Sequence, residues 1–222
     1  MTLKLAIFDM DGTLVDSRAV IQTAMQRAFR QLGLTPPPYD QIRQTIGLSL
    51  DVAMRQLAPD HDDIPELVET YKTTFIAHRA EADFNEPLYA GAMQTLERLA
   101  NDNWLIAMAT GKRHAGIRAV FKTHALAQYF DTIWCAEDGP GKPHPFMCEQ
   151  AMKAVGAAPH QSLIIGDAIF DIQMGRKAGI HTLGVSWGFG ESHELATAGA
   201  HEIHHDFASL NASLDAFAAR QR

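Results

Sequence analysis

The sequence predicts an α/β fold: an open parallel sheet that is interrupted, after its first strand, by an inserted domain of helices. Short apolar runs that are continuous rather than alternating are typical of strands covered on both faces. Helical patterns separate the later runs, as in parallel sheets whose strands are joined by crossover helices. The first two runs are instead separated by residues 9–103, far more than one crossover helix with its loops needs.

Five apolar runs predict the strands of the sheet. They are Leu5–Phe8, Leu105–Ala109, Thr132–Cys135, Ser162–Ile165 and Thr182–Val185. The helices predicted between and after the later strands are Ala92–Leu99, His114–Phe121, Phe146–Val155, Phe170–Ala178 and Leu210–Phe217. Pro145 suits the first position of the third of these helices, and Gly179 suits the C-terminal end of the fourth.

The long first interval reads as helical throughout. An apolar stripe at helical spacing precedes Gly33 and consists of Val20, Ile21, Ala24, Met25, Ala28, Phe29 and Leu32. Further helices are predicted near Asp40–Ile46, at Leu50–Leu57 and over Ile64–Ala80. We therefore divide the chain into a core of residues 1–15 and 86–222 and a small helical domain of residues 16–85. The alternative is that these helices simply extend the core.

The composition narrows the class of partner. The net charge is -7 and the pI is near 5.8, with no basic run, whereas domains that bind nucleic acid usually show a basic face. No stretch approaches the roughly 18 uninterrupted apolar residues of a membrane span, and the N-terminal apolar run is too short for a signal peptide. Low cysteine use, with only Cys135 and Cys148, fits a reducing compartment. We expect a cytoplasmic monomer or homodimer with no nucleic-acid or membrane partner.

The strongest chemical signal is DMDGT at residues 9–13, where the first strand ends. Residues two apart in an extended chain face the same side, so the carboxylates of Asp9 and Asp11 leave the strand together. Gly12 permits an unusual backbone turn in which successive N–H groups cradle an anion. One carboxylate could serve as nucleophile and metal ligand and the other as acid and base, which splits a difficult hydrolysis into two easier steps.

Groups suited to holding phosphate follow the second and third strands. Thr110 follows the second strand, and its hydroxyl and nearby backbone N–H groups, such as that of Gly111, could hold phosphate oxygens. An ordinary helix N-cap is the alternative for this threonine. The loop of residues 139–145 (GPGKPHP) sets Lys142 among glycines and prolines. A lysine held in so stiff a loop can neutralise both a phosphate and a nearby carboxylate.

Two more acids follow the fourth strand, in GDAIFD at residues 166–171. Asp167 stands at the strand end and Asp171 one helical turn later, where acids can simply cap a helix because anions suit that end. Alternatively they complete a site for Mg²⁺, which prefers oxygen ligands and keeps several waters. All four motifs follow the carboxyl ends of parallel strands, the edge where open α/β sheets bind ligands. Together they predict a combined phosphate and metal site.

The order of these motifs resembles the haloacid dehalogenase superfamily, in particular its phosphoglycolate-phosphatase-like members with a helical cap after the first motif. The resemblance rests on DMDGTLVDS at 9–17, ATGK at 109–112, GKPHP at 141–145 and GDAIFD at 166–171, and it covers nearly the whole chain. It implies a Rossmann-like open sheet with strand one in the middle and a helical cap domain that closes over the substrate.

The resemblance also implies a role for each motif residue. Asp9 is expected to be the nucleophile and a Mg²⁺ ligand. Asp11 is expected to be the general acid and base, and to bind the metal through its backbone carbonyl. The residues expected to bind phosphate are Thr110, Gly111 and Lys142. The remaining Mg²⁺ ligands are expected to be Asp167 and, directly or through water, Asp171.

Two positions depart from the family pattern, and the cap carries further candidates. Many relatives have Ser or Thr where Ala168 stands and Asn where Gly111 stands; the alanine would loosen the surroundings of Asp167. In the cap, Arg43 and the loop Gly47–Ser49 resemble the loop that faces the active site. Arg43 could pair a substrate carboxylate, the alternative being a solvated helix face. The expected substrate-contacting residues of the cap are therefore Arg43, Gly47 and Ser49.

These expectations favour Mg²⁺-dependent hydrolysis of a small phosphorylated metabolite, with 2-phosphoglycolate as the best single guess. A pyrophosphatase, a sugar-phosphate phosphatase and a phosphomutase are alternatives on the same fold. From another class, a catalytically silent binding protein is the alternative, although such a protein should have lost Asp9 or Asp11, and both are present. A dehalogenase would need neither a metal nor the second acid.

Overall fold

A computed structural model describes residues 3–221, and its centre is a six-stranded sheet in which every pair of neighbouring strands is parallel. The strands are β1 (Leu5–Phe8), β2 (Leu105–Thr110), β3 (Thr132–Cys135), β4 (Ser162–Gly166), β5 (His181–Val185) and β6 (Glu202–His204). Their order across the sheet is β3-β2-β1-β4-β5-β6. The predicted α/β class is confirmed, and β1 lies in the middle, as the resemblance implied.

The sheet is covered on both faces, which explains why the strand sequences are continuous apolar runs. One face packs on a cluster that contains Phe8 and Met108, and the other on a cluster that contains Ile7 and Ala107. Consecutive residues of β1 and β2 thus supply opposite faces, as the period of two requires. All four residues of β1 are fully buried.

Ten helices are described within residues 3–221. They are α1 (Arg18–Gln31), α2 (Tyr39–Arg43), α3 (Leu50–Leu57), α4 (Ile64–Arg79), α5 (Ala92–Asn101), α6 (His114–His124), α7 (Phe146–Val155), α8 (Ile169–Lys177), α9 (Ser192–Thr197) and α10 (Phe207–Arg220). The nine predicted helices are confirmed, with ends that differ by a few residues, whereas α9 was not predicted. None of the helices in this part of the chain has the length and apolar character needed to cross a membrane.

Helices α1 to α4, the first four of the helices between β1 and β2, surround an apolar cluster of their own. Met25 and Phe29 of α1, Met54 of α3 and Leu67 of α4 are all buried in it. Because one cluster holds these helices together, residues 18–79 form a cap beside the sheet. The division of the whole chain at residues 16–85 stays a prediction.

The register of the strands brings the candidate residues to one edge of the sheet. Phe8, the last residue of β1, lies beside Met108 of β2 and Ile165 of β4. The residues that follow these positions, among them Asp9 and Thr110, therefore emerge side by side. This edge is the carboxyl end of the sheet, where open α/β folds bind ligands.

The sixth strand was not among the predicted strands. β6 has only three residues, Glu202–His204, and pairs with β5 alone at the edge of the sheet. Its sequence, Glu-Ile-His, has a single apolar residue and so lacks the apolar run that marked the other five.

Candidate active site

The DMDGT loop, which follows β1, packs against Asp167, the residue that follows the neighbouring strand β4. Gly12 has φ of 83°, and a Cβ added there would lie 2.2 Å from Oδ2 of Asp167. Only glycine fits, because both the backbone angle and the space exclude a side chain. The hydroxyl of Thr13 donates a hydrogen bond to Oδ1 of Asp167 at 2.9 Å. The loop therefore holds the side chain of Asp167 against the first motif.

Three buried carboxylates meet at this point. Asp9, Asp167 and Asp171 each offer an oxygen, and these atoms lie within 4.8 Å of one another. Asp167 also accepts the backbone N–H of Phe189 at 2.7 Å, and Asp171 accepts that of Ala168 at 3.0 Å. Asp167 is thus held by Thr13 and Phe189, without help from a side chain at position 168. The departure at Ala168 leaves the position of this carboxylate defined.

Lys142 inserts its ammonium between two of these carboxylates. Its Nζ lies 2.8 Å from Oδ1 of Asp9 and 2.6 Å from Oδ1 of Asp171, and its side chain is fully buried. Burial alone would lower the pKa of Lys142, but the carboxylates of Asp171 and Asp9 outweigh burial and raise this pKa. The loop around Lys142 therefore places a charged ammonium at the centre of the site.

One ammonium leaves the three carboxylates with an excess of negative charge. Burial raises the pKa of Asp9 to about 7, with Lys142 opposing and Asp171 adding to the rise. Burial and the charges of Asp171 and Asp9 likewise hold the pKa of Asp167 well above its usual range. Buried like charges behave in this way when a counter-charge is missing. An all-oxygen donor set with surplus negative charge fits a hard divalent cation such as Mg²⁺.

Asp11 lies outside this cluster and is held by a different lysine. Nζ of Lys112 is 2.9 Å from Oδ1 of Asp11 and 3.3 Å from Oε1 of Glu86. The carboxylates of Asp11 and Glu86 raise the pKa of Lys112, although burial alone would lower it. Neither Lys112 nor Glu86 was among the predicted site residues. Lys112 stands in the ATGK motif, which could have drawn attention to it, whereas nothing local marks Glu86.

Thr110 is the last residue of β2 and Gly111 follows it, beside the first motif. Thr110 is buried, and its Oγ1 accepts the backbone N–H of Lys112 at 3.2 Å. A Cβ on Gly111 would lie 2.7 Å from the carbonyl oxygen of Leu48 and 2.8 Å from that of Gly47. The cap loop therefore rests directly on the backbone of Gly111. This contact gives a structural reason for glycine at a position where many relatives have asparagine.

Gly111→Ala is expected to lower kcat/KM roughly 10- to 100-fold, because the added methyl group pushes the loop of Gly47 and Leu48 off the active site and misplaces the substrate. Steady-state kinetics measure the loss. Gly141→Ala is the matched control, since its Cβ would meet nothing nearer than 3.7 Å. Equal kinetics for the two variants would contradict the role of Gly111.

Of the three candidate residues in the cap, only Gly47 lines the cavity of the site. Gly47 lines the cavity that also contains Asp9 and Asp11, whereas Ser49 approaches Gly141 in the Lys142 loop. Arg43 does not line that cavity, so the structure does not bring it to the place expected for pairing a substrate carboxylate.

Arg43 instead joins the cap to the core. Its guanidinium lies 3.0 Å from Glu194 and 3.2 Å from Glu191, and donates to the carbonyl oxygen of Phe189 at 3.4 Å. The side chains of Glu191 and Glu194 satisfy its charge without a ligand. The partner acids lie some 150 residues away along the chain, so no local pattern could have indicated this pairing.

A fifth loop at the same edge was also missed. Residues 187–190 follow β5 and place the backbone of Phe189 on Asp167 and its ring in the apolar cluster of the cap. Trp187 donates its indole N–H to the carbonyl oxygen of Thr13 at 3.0 Å. The glycines of this loop, Gly188 and Gly190, stand shortly after the predicted strand Thr182–Val185 and could have drawn attention to the loop.

Comparisons with known proteins agree with this geometry. A family model described as haloacid dehalogenase-like hydrolase matches residues 6–185. The chain is 32% identical over 203 residues to "Probable phosphatase IndB" of Dickeya dadantii, covering 87% of this chain and 86% of that protein. It is 30% identical over 189 residues to a phosphoglycolate phosphatase of Agrobacterium fabrum, covering 83% of this chain and 81% of that protein.

Comparison with solved structures indicates the same family. A solved hydrolase of the haloacid dehalogenase-like family from Streptococcus pneumoniae superposes with a TM-score of 0.81 and 29% identity, covering 95% of this chain and 98% of that one. The order of motifs, the sheet with β1 at its centre and the family match over residues 6–185 all agree. The chain belongs to the haloacid dehalogenase-like hydrolase family.

Proposed function

We propose that this protein is a Mg²⁺-dependent phosphatase that hydrolyses a small phosphate monoester through a phosphorylated Asp9. The observation that carries the proposal is the buried cluster of Asp9, Asp167 and Asp171 around Lys142, which opens beside Asp11 into a cavity. Independent helix caps would have no reason to bring three acids and a lysine together in the interior.

In the first step, a carboxylate oxygen of Asp9 attacks the phosphorus atom of the ester. The bond between phosphorus and the alcohol oxygen breaks, and Asp11 gives its proton to that oxygen, so the alcohol leaves neutral. Lys142, 2.8 Å from Asp9, offsets the charge that gathers around the transferred group. The transition state needs little more than position and charge compensation, both of which buried, fixed side chains supply.

In the second step, a water molecule attacks the phosphorus atom of the aspartyl phosphate. Asp11, now a carboxylate, takes a proton from that water, and the bond between phosphorus and the oxygen of Asp9 breaks. Inorganic phosphate leaves and Asp9 is free again. Lys112, 2.9 Å from Asp11, keeps this side chain in place through both proton transfers. Splitting the hydrolysis into two displacements is the benefit of covalent catalysis.

The carboxylates of Asp9 and Asp167, the backbone carbonyl of Asp11 and, directly or through water, Asp171 would hold the Mg²⁺ ion. The ion would supply charge neutralisation on the phosphate oxygens. A site of carboxylates with room for water is the kind that Mg²⁺ occupies in proteins. The surplus negative charge described above supports this assignment.

The direct test is release of inorganic phosphate from a panel of phosphorylated metabolites, with and without Mg²⁺. The panel starts with 2-phosphoglycolate, because the Agrobacterium fabrum relative is named as its phosphatase, and includes sugar phosphates and pyrophosphate. Acid quenching during turnover is expected to trap phosphate on the peptide that contains Asp9. Failure to hydrolyse any compound in the presence of Mg²⁺ would favour the catalytically silent alternative.

Mg²⁺ is expected to stabilise the protein against heat. At a concentration of about 100 times its Kd, a ligand that binds only the folded state adds about 2.7 kcal/mol, which raises Tm by roughly 5–10 °C in a chain of this size. Asp167→Asn should lose most of this increase. Asp51→Asn, a substitution at an exposed cap position, should keep it. An equal Mg²⁺ response in both variants would place the ion elsewhere.

A further inference from the structure

The cavity beside Asp9 and Asp11 is large, and most of its wall is apolar. Its volume is about 510 Å³. The cap supplies most of the wall, with Ile21, Met25, Leu48, Leu50, Tyr71 and Phe75. Ile76, which is 70% exposed, extends this apolar surface to the solvent. Cavities of this size and lining usually enclose the greater part of an organic ligand.

The cations that line the cavity are already engaged by acids. Lys112 pairs with Asp11 and Glu86, and the guanidinium of Arg79 lies 2.7 Å from the same Glu86. Two cations thus face two carboxylates. Lys72 pairs with an acid in the same way, at 2.5 Å from Glu69.

The remaining cations of the lining lie towards the solvent. Arg113 pairs with Glu137 and His114 with Asp138. Arg118 is exposed on α6, where an ion pair with a ligand would be weak. The interior of the cavity therefore offers a substrate carboxylate no free cation among the residues that the structure describes.

A two-carbon acid such as the glycolate part of 2-phosphoglycolate fits this cavity poorly. It would fill little of the volume, and its carboxylate would lose water against apolar walls without gaining a partner, which is costly. An uncharged ring-sized group would instead bury apolar surface against the same walls, at a gain of about 25 cal/mol for each Å². Charge and size thus favour the same kind of substrate.

An aromatic pair shapes the wall that such a group would meet. The rings of Tyr71 and Phe75 on α4 are 5.9 Å apart and tilted by 46°. Both line the cavity. Offset and tilted arrangements are those that aromatic rings prefer, so a further ring can pack against this pair. Lys112 and Arg79 lie over the ring of Phe75, at 5.5 Å and 5.2 Å, which leaves its edge and the ring of Tyr71 for that contact.

We propose that the physiological substrate is a phosphate monoester whose leaving alcohol carries an uncharged, apolar, ring-sized group, and that the cap cavity binds this group. The inference rests on the proposed phosphatase function and specifies its substrate class. The phosphate would lie at the cluster of Asp9 and Lys142, and the ring would lie between α1, α3 and α4 of the cap. The reaction releases this alcohol and inorganic phosphate, with water as the only other reactant.

The test compares 2-phenylethyl phosphate with ethyl phosphate on the full-length protein with Mg²⁺. The two leaving alcohols have similar acidity, so a difference in rate reports binding of the ring rather than the chemistry of the leaving group. The value of kcat/KM is expected to be at least about tenfold higher for the phenylethyl ester. It should also exceed the value for 2-phosphoglycolate.

Two variants locate the effect in the cavity. Leu50 and Leu57 are both half-buried on α3, and of the two only Leu50 lines the cavity. Leu50→Gln is expected to lower the ratio of the two kcat/KM values roughly tenfold, because the amide makes the wall polar. Leu57→Gln should keep the wild-type ratio.

The outcomes separate this inference from the proposed function. Hydrolysis of both esters at similar kcat/KM, or a preference for 2-phosphoglycolate, would overturn the substrate class and leave the phosphatase function intact. An equal fall in the ratio for both leucine variants would also overturn it, since the ring would then not lie against Leu50. Absence of hydrolysis of every ester would refute the proposed function, and this inference with it.

Discussion

Asp9→Asn is expected to abolish hydrolysis of every phosphate ester, with a loss of at least roughly 10⁴-fold in kcat, as for the removal of other catalytic nucleophiles. An amide oxygen cannot form the phosphorylated intermediate. Asparagine has nearly the same size, so the buried position is kept. Phosphate release from the best substrate of the panel measures the loss, and no phosphate should be trapped on the protein by acid quenching.

The same substitution is expected to stabilise the protein when Mg²⁺ is absent. Asp9 is 1% exposed and shares its surroundings with Asp167 and Asp171, so one of three crowded carboxylates becomes neutral while Lys142 keeps a partner. The gain in the free energy of unfolding should be on the order of 2 kcal/mol, or roughly 4–8 °C in Tm.

The gain should depend on pH in a definite direction. The pKa of Asp9 is about 7 in the folded protein, above the ordinary value of 3.8. The folded wild-type protein therefore loses stability as pH rises from about 4 towards 7, while the asparagine variant avoids this loss. The difference in Tm should be near zero at about pH 4 and largest above pH 7.

Asp51→Asn makes the same change of charge at an exposed position and should alter neither kcat nor Tm by much. Retained turnover in Asp9→Asn would remove Asp9 as the nucleophile. A fall in Tm at pH 8 without Mg²⁺ would show that the carboxylate of Asp9 is not in excess in the folded protein.

The strands of the sheet could be predicted from the sequence because burial on both faces leaves an unmistakable run of apolar residues. β1 is fully buried and was predicted at its observed bounds, Leu5–Phe8. β6, Glu202–His204, has only one apolar residue, so the same signal is absent. β3, Thr132–Cys135, is also an edge strand with three half-buried residues, and it could be predicted because its sequence is still mostly apolar.

The centre of the site could be predicted for a related reason. Asp9 and Asp167 each follow a strand directly, and Lys142 stands in the loop after β3. A parallel sheet brings the loops that follow its strands to one edge. The ion pair of Arg43 with Glu194 depends instead on how the cap sits against the core. That arrangement is decided by packing between distant segments, which leaves no mark in local patterns of residues.

The residues that line the cavity could not be predicted from the sequence either. The apolar stripe of α1 was predicted from its spacing, but spacing does not distinguish residues that pack inside the cap from those that face the substrate. Ile21 and Met25 do both, since they belong to the apolar cluster of the cap and line the cavity. The size and apolar lining of the cavity, on which the proposed substrate class rests, therefore became visible only with the structure.

Lys142→Met is expected to lower kcat/KM roughly 10²–10³-fold, the usual cost of removing one group that stabilises charge in the transition state. Methionine has a side chain of similar length without the charge. The variant should also be less stable without Mg²⁺, because Asp9 and Asp171 lose the ammonium that lies 2.8 Å and 2.6 Å from them. Breaking a buried ion pair by removing one partner costs about 3–5 kcal/mol. Thermal denaturation and steady-state kinetics measure the two effects.

The response of this variant to Mg²⁺ separates an electrostatic role from a packing role. If Lys142 neutralises the carboxylates, its loss leaves more negative charge for the ion, and Mg²⁺ should raise the Tm of the variant by more than that of the wild-type protein. If the lysine only fills space, the two increases should be equal. Lys153→Met, an exposed substitution on α7, should change neither quantity. Since the ammonium and the divalent ion would share the carboxylates of Asp9 and Asp171, each should become more important to stability when the other is removed.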